Sequence, residues 1–162
     1  MRKTEKISPS ELIYQKLSEE KILEKIDYSD FVKICLEFVE YFVFPLSNRE
    51  LSSYISYSKN FLWGKINESQ IFHFQKEAFK EFLELSDQQE KDIQDVIYLC
   101  LNYKFLTEAH SKWKTESKNP IFKSITHYTL DSIPTFLHYI EAVDGKLCED
   151  FYEYLKVYIK NK

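Results

Sequence analysis

From Glu77 to Asp95 the chain sets seven acids (Glu77, Glu81, Glu84, Asp87, Glu90, Asp92 and Asp95) against two lysines, Lys80 and Lys91. Glu77, Glu81 and Glu84 are spaced by four and three, which places them in one stripe on a helix. The helix macrodipole favours acids in a first turn and disfavours them in a last turn. Asp87 and Glu90 open a helix and fit the first case, as ordinary solvated residues would. Glu81 and Glu84 close one and do not, so their placement points to a basic partner that relieves the mutual repulsion. If the helices on either side of Ser86 form a hairpin, Asp87, Asp92 and Asp95 join the same surface. Two further acidic groups, Glu141 to Glu153 and Asp27 to Glu40, read as solvated faces.

Aromatic residues suggest how such a partner is held. Tyr54, Tyr57 and Trp63 stand among Ser52, Ser53, Ser56 and Ser58. Rigid aromatic anchors with a polar rim are the chemistry of protein interfaces. The alternative is that these rings belong to the core and only their polar tips reach water.

A second constellation could carry acid–base or metal chemistry. His127 and Asp131 are four apart, and His138 and Glu141 are three apart on the next segment. If Pro134 folds the two segments together, two imidazoles and two carboxylates could hold Zn²⁺ or Fe²⁺, or pair as a base. The spacing matches neither H-E-x-x-H nor E-x-x-H, so ordinary hydrogen-bonded histidines are the stronger reading, and no metal or cofactor is expected. His73 lies in an apolar run and His110 in a polar one. Nucleophilic catalysis has no support: there is no G-x-S-x-G, and neither Gly64 nor Gly145 sits in a phosphate-cradling loop.

Charge and composition exclude further classes. The net charge is −4, and Arg2 and Arg49 are the only arginines among 22 basic residues. Bidentate readout of guanine and phosphate relies on arginine, so no nucleic-acid partner is expected. Cys35, Cys100 and Cys148 form no C-x-x-C pair and lie in apolar stretches, which reads as buried thiols in a reducing compartment. The N-terminus is basic without an apolar signal region. The longest apolar tract, Phe31 to Leu46, is interrupted by Lys33, Glu37 and Glu40, so no membrane span is expected and the location reads as cytoplasmic.

These groups must be positioned by helices. Two glycines and four prolines in 162 residues leave few tight turns. Capping boxes are written at Ser8-Pro9-Ser10-Glu11 and Ser47-Asn48-Arg49-Glu50, with weaker forms at Asn67 and Ser86 and a cap at Asp27 or Ser29. The expected helices run from Pro9 to Ile26 with a break near Ser18, Asp30 to Val43, Asn48 to Trp63, and Glu68 to Leu85. A fifth follows Ser86 with Ile93, Val96, Ile97, Cys100, Leu101 and Phe105 on its face. Three more run from Ile121 to Leu130, Pro134 to Val143 and Leu147 to Ile159. The second must stop before Pro45. As the most apolar it is central, with Phe31, Cys35, Phe38, Val39 and Phe42 nearly fully buried. Residues 107–119 read as a loop and 1–7 as a disordered lead.

The fold class is therefore all-α: a single-domain irregular bundle of about seven or eight helices spanning residues 1–162. Ser8, Ser47 and Ser86 recur every 39 residues, which raises a short HEAT-like α-solenoid as the alternative. The function that fits is a small acidic binding protein that neutralises a protein partner by occlusion. Its most concrete form is a bacterial immunity protein or antitoxin against a toxin such as a nuclease. A helical scaffold or adaptor is the alternative, and an enzyme built on the His127/His138 group a weaker one.

Overall fold

The computed structural model describes residues 7–107 and 132–161. Ile7 is the described part of the expected disordered lead. The expected loop beyond Thr107 and the helix expected from Ile121 to Leu130 lie outside the described residues.

Short polar side chains start several helices. Ser8 accepts from the Glu11 amide and Pro9 occupies the first position of α1 (Pro9–Glu19). Asp27 accepts from the Asp30 amide at 2.8 Å and starts α2 (Tyr28–Phe38). Asn67 and Gln70 form a reciprocal capping box at α4 (Glu68–Glu84). Asp87, not Ser86, caps α5 (Gln88–Cys100) by accepting from Glu90. Each cap pairs an amide that the first helical turn leaves without a partner. Gly64 adopts φ +74° just past α3 (Ser52–Leu62), the left-handed turn that glycine makes without steric cost. Tyr103–Thr107 (α6), Ser132–Val143 (α7) and Lys146–Lys160 (α8) complete the described helices. Among the described residues there are helices and no strand.

The architecture is an all-α irregular bundle. α5 packs against α4 on one side and α7 on the other, and α7 continues into a group with α1 and α8. On the far side α3 covers α4 and α5. α2 runs through the centre: Phe31, Val32, Ile34, Cys35, Leu36 and Phe38 are all buried. Phe31 and Phe38 set their rings edge-on to Phe136 of α7 and Phe151 of α8 at centroid distances of 5.0–6.4 Å. Such edge-to-face contacts are the favoured arrangement of aromatic quadrupoles. The face of α5 reads as expected as far as Ile93, Val96, Ile97 and Cys100, all buried; Leu101 is the buried C-cap, and Phe105, expected on the same face, is buried on the separate helix α6.

The first helix breaks next to the expected point: it stops at Glu19, Lys21 takes φ +56° and a short 3₁₀ turn, Ile22–Lys25, follows. Two other expectations fail. α2 does not stop before Pro45. It passes into a π turn over Val39–Val43, in which the Phe44 amide reaches the Val39 carbonyl, and then a 3₁₀ turn over Phe44–Leu46. A π turn needs one extra residue per turn, so Val43, five after Phe38, takes the buried place. Phe42 turns outward and is 37% exposed, against the expectation that it is core. The capping box at Ser47 does not form either. α3 begins at Ser52, and the Ser47 hydroxyl donates to Glu90 of α5 at 2.8 Å. With Ser8 alone of the three serines capping a helix, the 39-residue spacing is not a structural repeat.

All three cysteines are free and buried. Burial pushes the Cys100 and Cys148 thiols up to about 12 and holds Cys35 well above its usual range, with nearby Cys100 adding to the effect. Since the thiolate is the reactive form, an aromatic disulfide reagent at about pH 8 is expected to label all three only at the rate of unfolding. Rapid release of one equivalent from native protein would contradict this burial.

Candidate functional site

Arg49 is the organising residue of the acidic region. It lies in the short segment between the 3₁₀ turn ending at Leu46 and α3. Its Nε donates to Glu90 at 2.6 Å, and its Nη1 donates to Glu81 at 2.7 Å and to the Gln94 side-chain oxygen at 2.8 Å. Nη2 reaches the Glu90 carbonyl at 3.3 Å. Glu90 also accepts from Ser47 and from the Asn48 amide. Gln94 is fully buried and donates to the Ala78 carbonyl at 2.8 Å, so both ends of its amide are engaged. One planar guanidinium thus ties the segment before α3 to α4 and α5, in a fork geometry that lysine cannot reproduce. Although burial opposes ionisation of Glu90, the hydrogen bonds from Arg49 and Ser47 outweigh it and hold the carboxyl below its ordinary value.

This contact changes the meaning of the acidic stripe. Glu81, whose position in a last turn suggested a basic partner, has its basic partner within the chain. Its second oxygen accepts from the Tyr54 hydroxyl. Burial and that bond to Glu81 push the Tyr54 hydroxyl up to about 12. Glu84 is exposed, and Glu77 is exposed beside Lys80 at 3.3 Å.

Glu50, Tyr54, Tyr57, Phe74, Glu77 and Glu81 line a concave pocket of about 370 Å³ between α3 and α4, with Ser53 and His73 at its edge. Its aromatic wall is ordered: Tyr57 stacks on Phe74 with centroids 3.7 Å apart, and Tyr54 meets Tyr57 edge-on at 6.3 Å. The Ser52 hydroxyl and amide both donate to Glu50, which lowers its pKa and keeps it charged. Carboxylates and aromatic rings lining one pocket provide the two attractions that recognise an ammonium or guanidinium group.

Of the residues expected at a partner site, Tyr54, Tyr57, Glu77 and Glu81 come together here. The others do not. α4 and α5 do form a hairpin, but its acids divide between two sides. Asp95 lines a separate hollow with Phe79, Phe82, Tyr98 and Tyr139, and burial together with Asp92 raises its pKa. Asp87 is spent on its cap, and Asp92 accepts from Gln88. Trp63 lies at the far end of α3 with Lys65 over its ring at 5.3 Å, beside a hollow lined by Lys33, Glu37 and Lys59. This places the tryptophan in mixed charge rather than beside the acids.

The histidine constellation is reduced. Glu141 accepts from the Ser10 amide at 2.6 Å and so pairs an open donor in the first turn of α1. His138 is exposed on α7, and His127 and Asp131 lie outside the described residues. Among the described residues no group of three or more His, Cys, Asp or Glu side chains is placed to hold a metal ion, and no helix is long and apolar enough to cross a membrane.

Sequence reasoning missed Arg49, Glu50 and Phe74. Arg49 carried one weak signal: with Arg2 it is one of only two arginines among 22 basic residues, and the single one among the described residues. Glu50 and Phe74 carried none, because their roles depend on how α3 meets α4. No family model, curated protein or solved structure matches the chain.

Proposed function

We propose that this chain is a small binding protein that docks a basic protein partner on the acidic pocket between α3 and α4 and neutralises it by occlusion. Its most concrete form is a bacterial immunity protein or antitoxin, working in a reducing, cytoplasmic setting against a toxin with a basic cleft. The observation that carries the reading is the pocket itself. The exposed Glu50 and Glu77 line it together with the Tyr54, Tyr57 and Phe74 rings, and Arg49 holds the Glu81 carboxylate that completes the lining. Its volume falls within the roughly 300–1,000 Å³ of specific ligand sites. One lysine or arginine side chain of the partner enters, its charge meeting Glu50 and Glu77 and its stem lying on the rings. Acidic surface around the pocket steers the encounter, which makes association fast and dependent on salt.

The test uses Glu50 and Glu77, which are exposed, and leaves Glu81 intact because it holds Arg49. Captured from lysate of the source organism, a basic protein is expected to bind the wild type and to be lost with Glu50→Lys/Glu77→Lys. With that protein purified, the association rate is expected to fall about tenfold or more in the double variant. The wild-type rate should also slow as the Debye length shrinks from about 30 Å to about 8 Å. Equal capture and equal rates for both forms would overturn the proposal.

A further inference from the structure

A hollow of about 200 Å³ opens where α4, α5 and α7 meet, apart from the acidic pocket. Four aromatic residues from three helices line it: Phe79 and Phe82 of α4, Tyr98 of α5 and Tyr139 of α7. The Phe79 and Phe82 rings are nearly parallel, with centroids 6.2 Å apart. Tyr98 meets Phe79 at 57° and 6.1 Å, so the walls form a corner. The lining holds one charged residue, Asp95. Among the described residues Asp95 has no ion pair or hydrogen bond, and Asp92, one turn earlier on α5, repels it. Gln94, the remaining polar residue of the lining besides the tyrosines, is already committed: its oxygen accepts from Arg49 and its amide donates to the Ala78 carbonyl.

These features specify a cation, and the kind of cation. Aromatic faces attract positive charge through the ring quadrupole, more strongly once water is displaced. The carboxylate without a basic partner supplies the counter-charge, and a cation beside it offsets the repulsion from Asp92. A primary ammonium carries three N–H donors that each need an acceptor, and with Gln94 committed, Asp95 is the one carboxylate or amide of the lining left to accept. A quaternary ammonium has no N–H, and its methyl groups need the apolar and aromatic contact that four rings give. We propose that this hollow binds the trimethylammonium head of a choline-type molecule, its methyl groups against Phe79, Phe82, Tyr98 and Tyr139 and its charge facing Asp95. Sites for drug-sized ligands run to roughly 300–1,000 Å³, so this smaller space admits a head group and a short stem. The nearest lysines, Lys76 and Lys80, line a separate hollow that shares Phe79 and Tyr98, and Lys80 is paired with Glu77. The acidic pocket, with Glu50, Glu77 and Glu81, has the acceptors for a hydrogen-bonding ammonium or guanidinium, so the two cation sites select different ligands.

Amide proton–nitrogen correlation spectra of the assigned protein test this, recorded with choline or ethanolamine from about 0.1 mM to about 50 mM, the range of a small and weakly held ligand. Choline is expected to shift the amides around Phe79, Asp95, Tyr98 and Tyr139. It is expected to bind about tenfold or more tightly than ethanolamine, which has the same charge and stem without the methyl groups. Asp95→Asn keeps the shape and removes the charge, and it is expected to weaken choline about fivefold or more, as is Tyr98→Leu. If Tyr98→Leu fails to fold, Asp95→Asn decides alone, because that residue is exposed. Flotation with phosphatidylcholine vesicles separates the two sources of the head group. Flotation that free choline displaces assigns the lipid, and choline binding without flotation assigns a free solute. Choline that binds no better than ethanolamine, shifts confined to the acidic pocket, or an Asp95→Asn variant that binds choline as the wild type does would overturn the proposal.

Discussion

Phe38→Ala is expected to destabilise the protein by about 3–5 kcal/mol, the range for deleting a large buried aromatic side chain. Phe38 has no exposed surface. Its ring lies 4.6 Å from Phe42, 5.0 Å from Phe151, 6.0 Å from Tyr154 and 6.4 Å from Phe136, so its removal leaves a cavity bounded by three helices. Two of those neighbours are large, buried and held by further aromatic contacts, which limits collapse into the space. For a chain of this size the melting temperature should fall by roughly 6–20 °C. Phe42→Ala supplies the contrast. Its ring stacks on Phe38 but is turned partly to water by the π turn, and its truncation is expected to cost about 1 kcal/mol. Denaturant titration of both variants is the measurement. Equal losses would mean that the π turn does not set which of the two rings is core.

Arg49→Ala is expected to cost about 2–3 kcal/mol. Removing one partner of a buried charge cluster typically costs about 3–5 kcal/mol, and the value here is lowered because the cluster is partly exposed to solvent. The loss has two sources. Glu81 and Glu90 keep their charges without the guanidinium between them, and the oxygen of the fully buried Gln94 loses its donor. Arg49→Lys keeps the charge but not the fork and should fall between the two. A pH signature separates this from simple loss of packing. The folded-state pKa of Glu90 is lowered, so its contribution is complete above the ordinary value of 4.5 and is lost as pH falls through the folded value. In the wild type, stability should therefore drop more steeply below about pH 4.5 than in Arg49→Ala. A loss under about 1 kcal/mol with an unchanged acid profile would remove Arg49 from the centre of the structure.

The sequence by itself determined the features whose causes lie within one helical turn. Ser8, Asp27 and Asn67 cap the helices that follow them, because a side-chain oxygen three residues before an open amide closes that bond locally. Gly64 ends α3 because the left-handed turn suits a residue without Cβ. The buried faces of α5 and α8 were legible because apolar residues three and four apart share a face in any helix. Tertiary structure alone decided the features whose partners lie far along the chain. Ser47 had the local pattern of a cap, but Glu90, 43 residues away, offered its hydroxyl a charged acceptor, and α3 started later. The helical period made Phe42 core, until the π turn gave that place to Val43. Glu141 is half of a metal pair in sequence and an acceptor for the Ser10 amide, 131 residues away, in the fold. The acids of α4 and α5 looked like one surface because sequence spacing reports which residues share a helix face. It does not report which neighbour that face meets. Packing sent Glu77 and Glu81 towards α3 and Asp95 towards α7, and only there did Arg49, Glu50 and Phe74 acquire their roles.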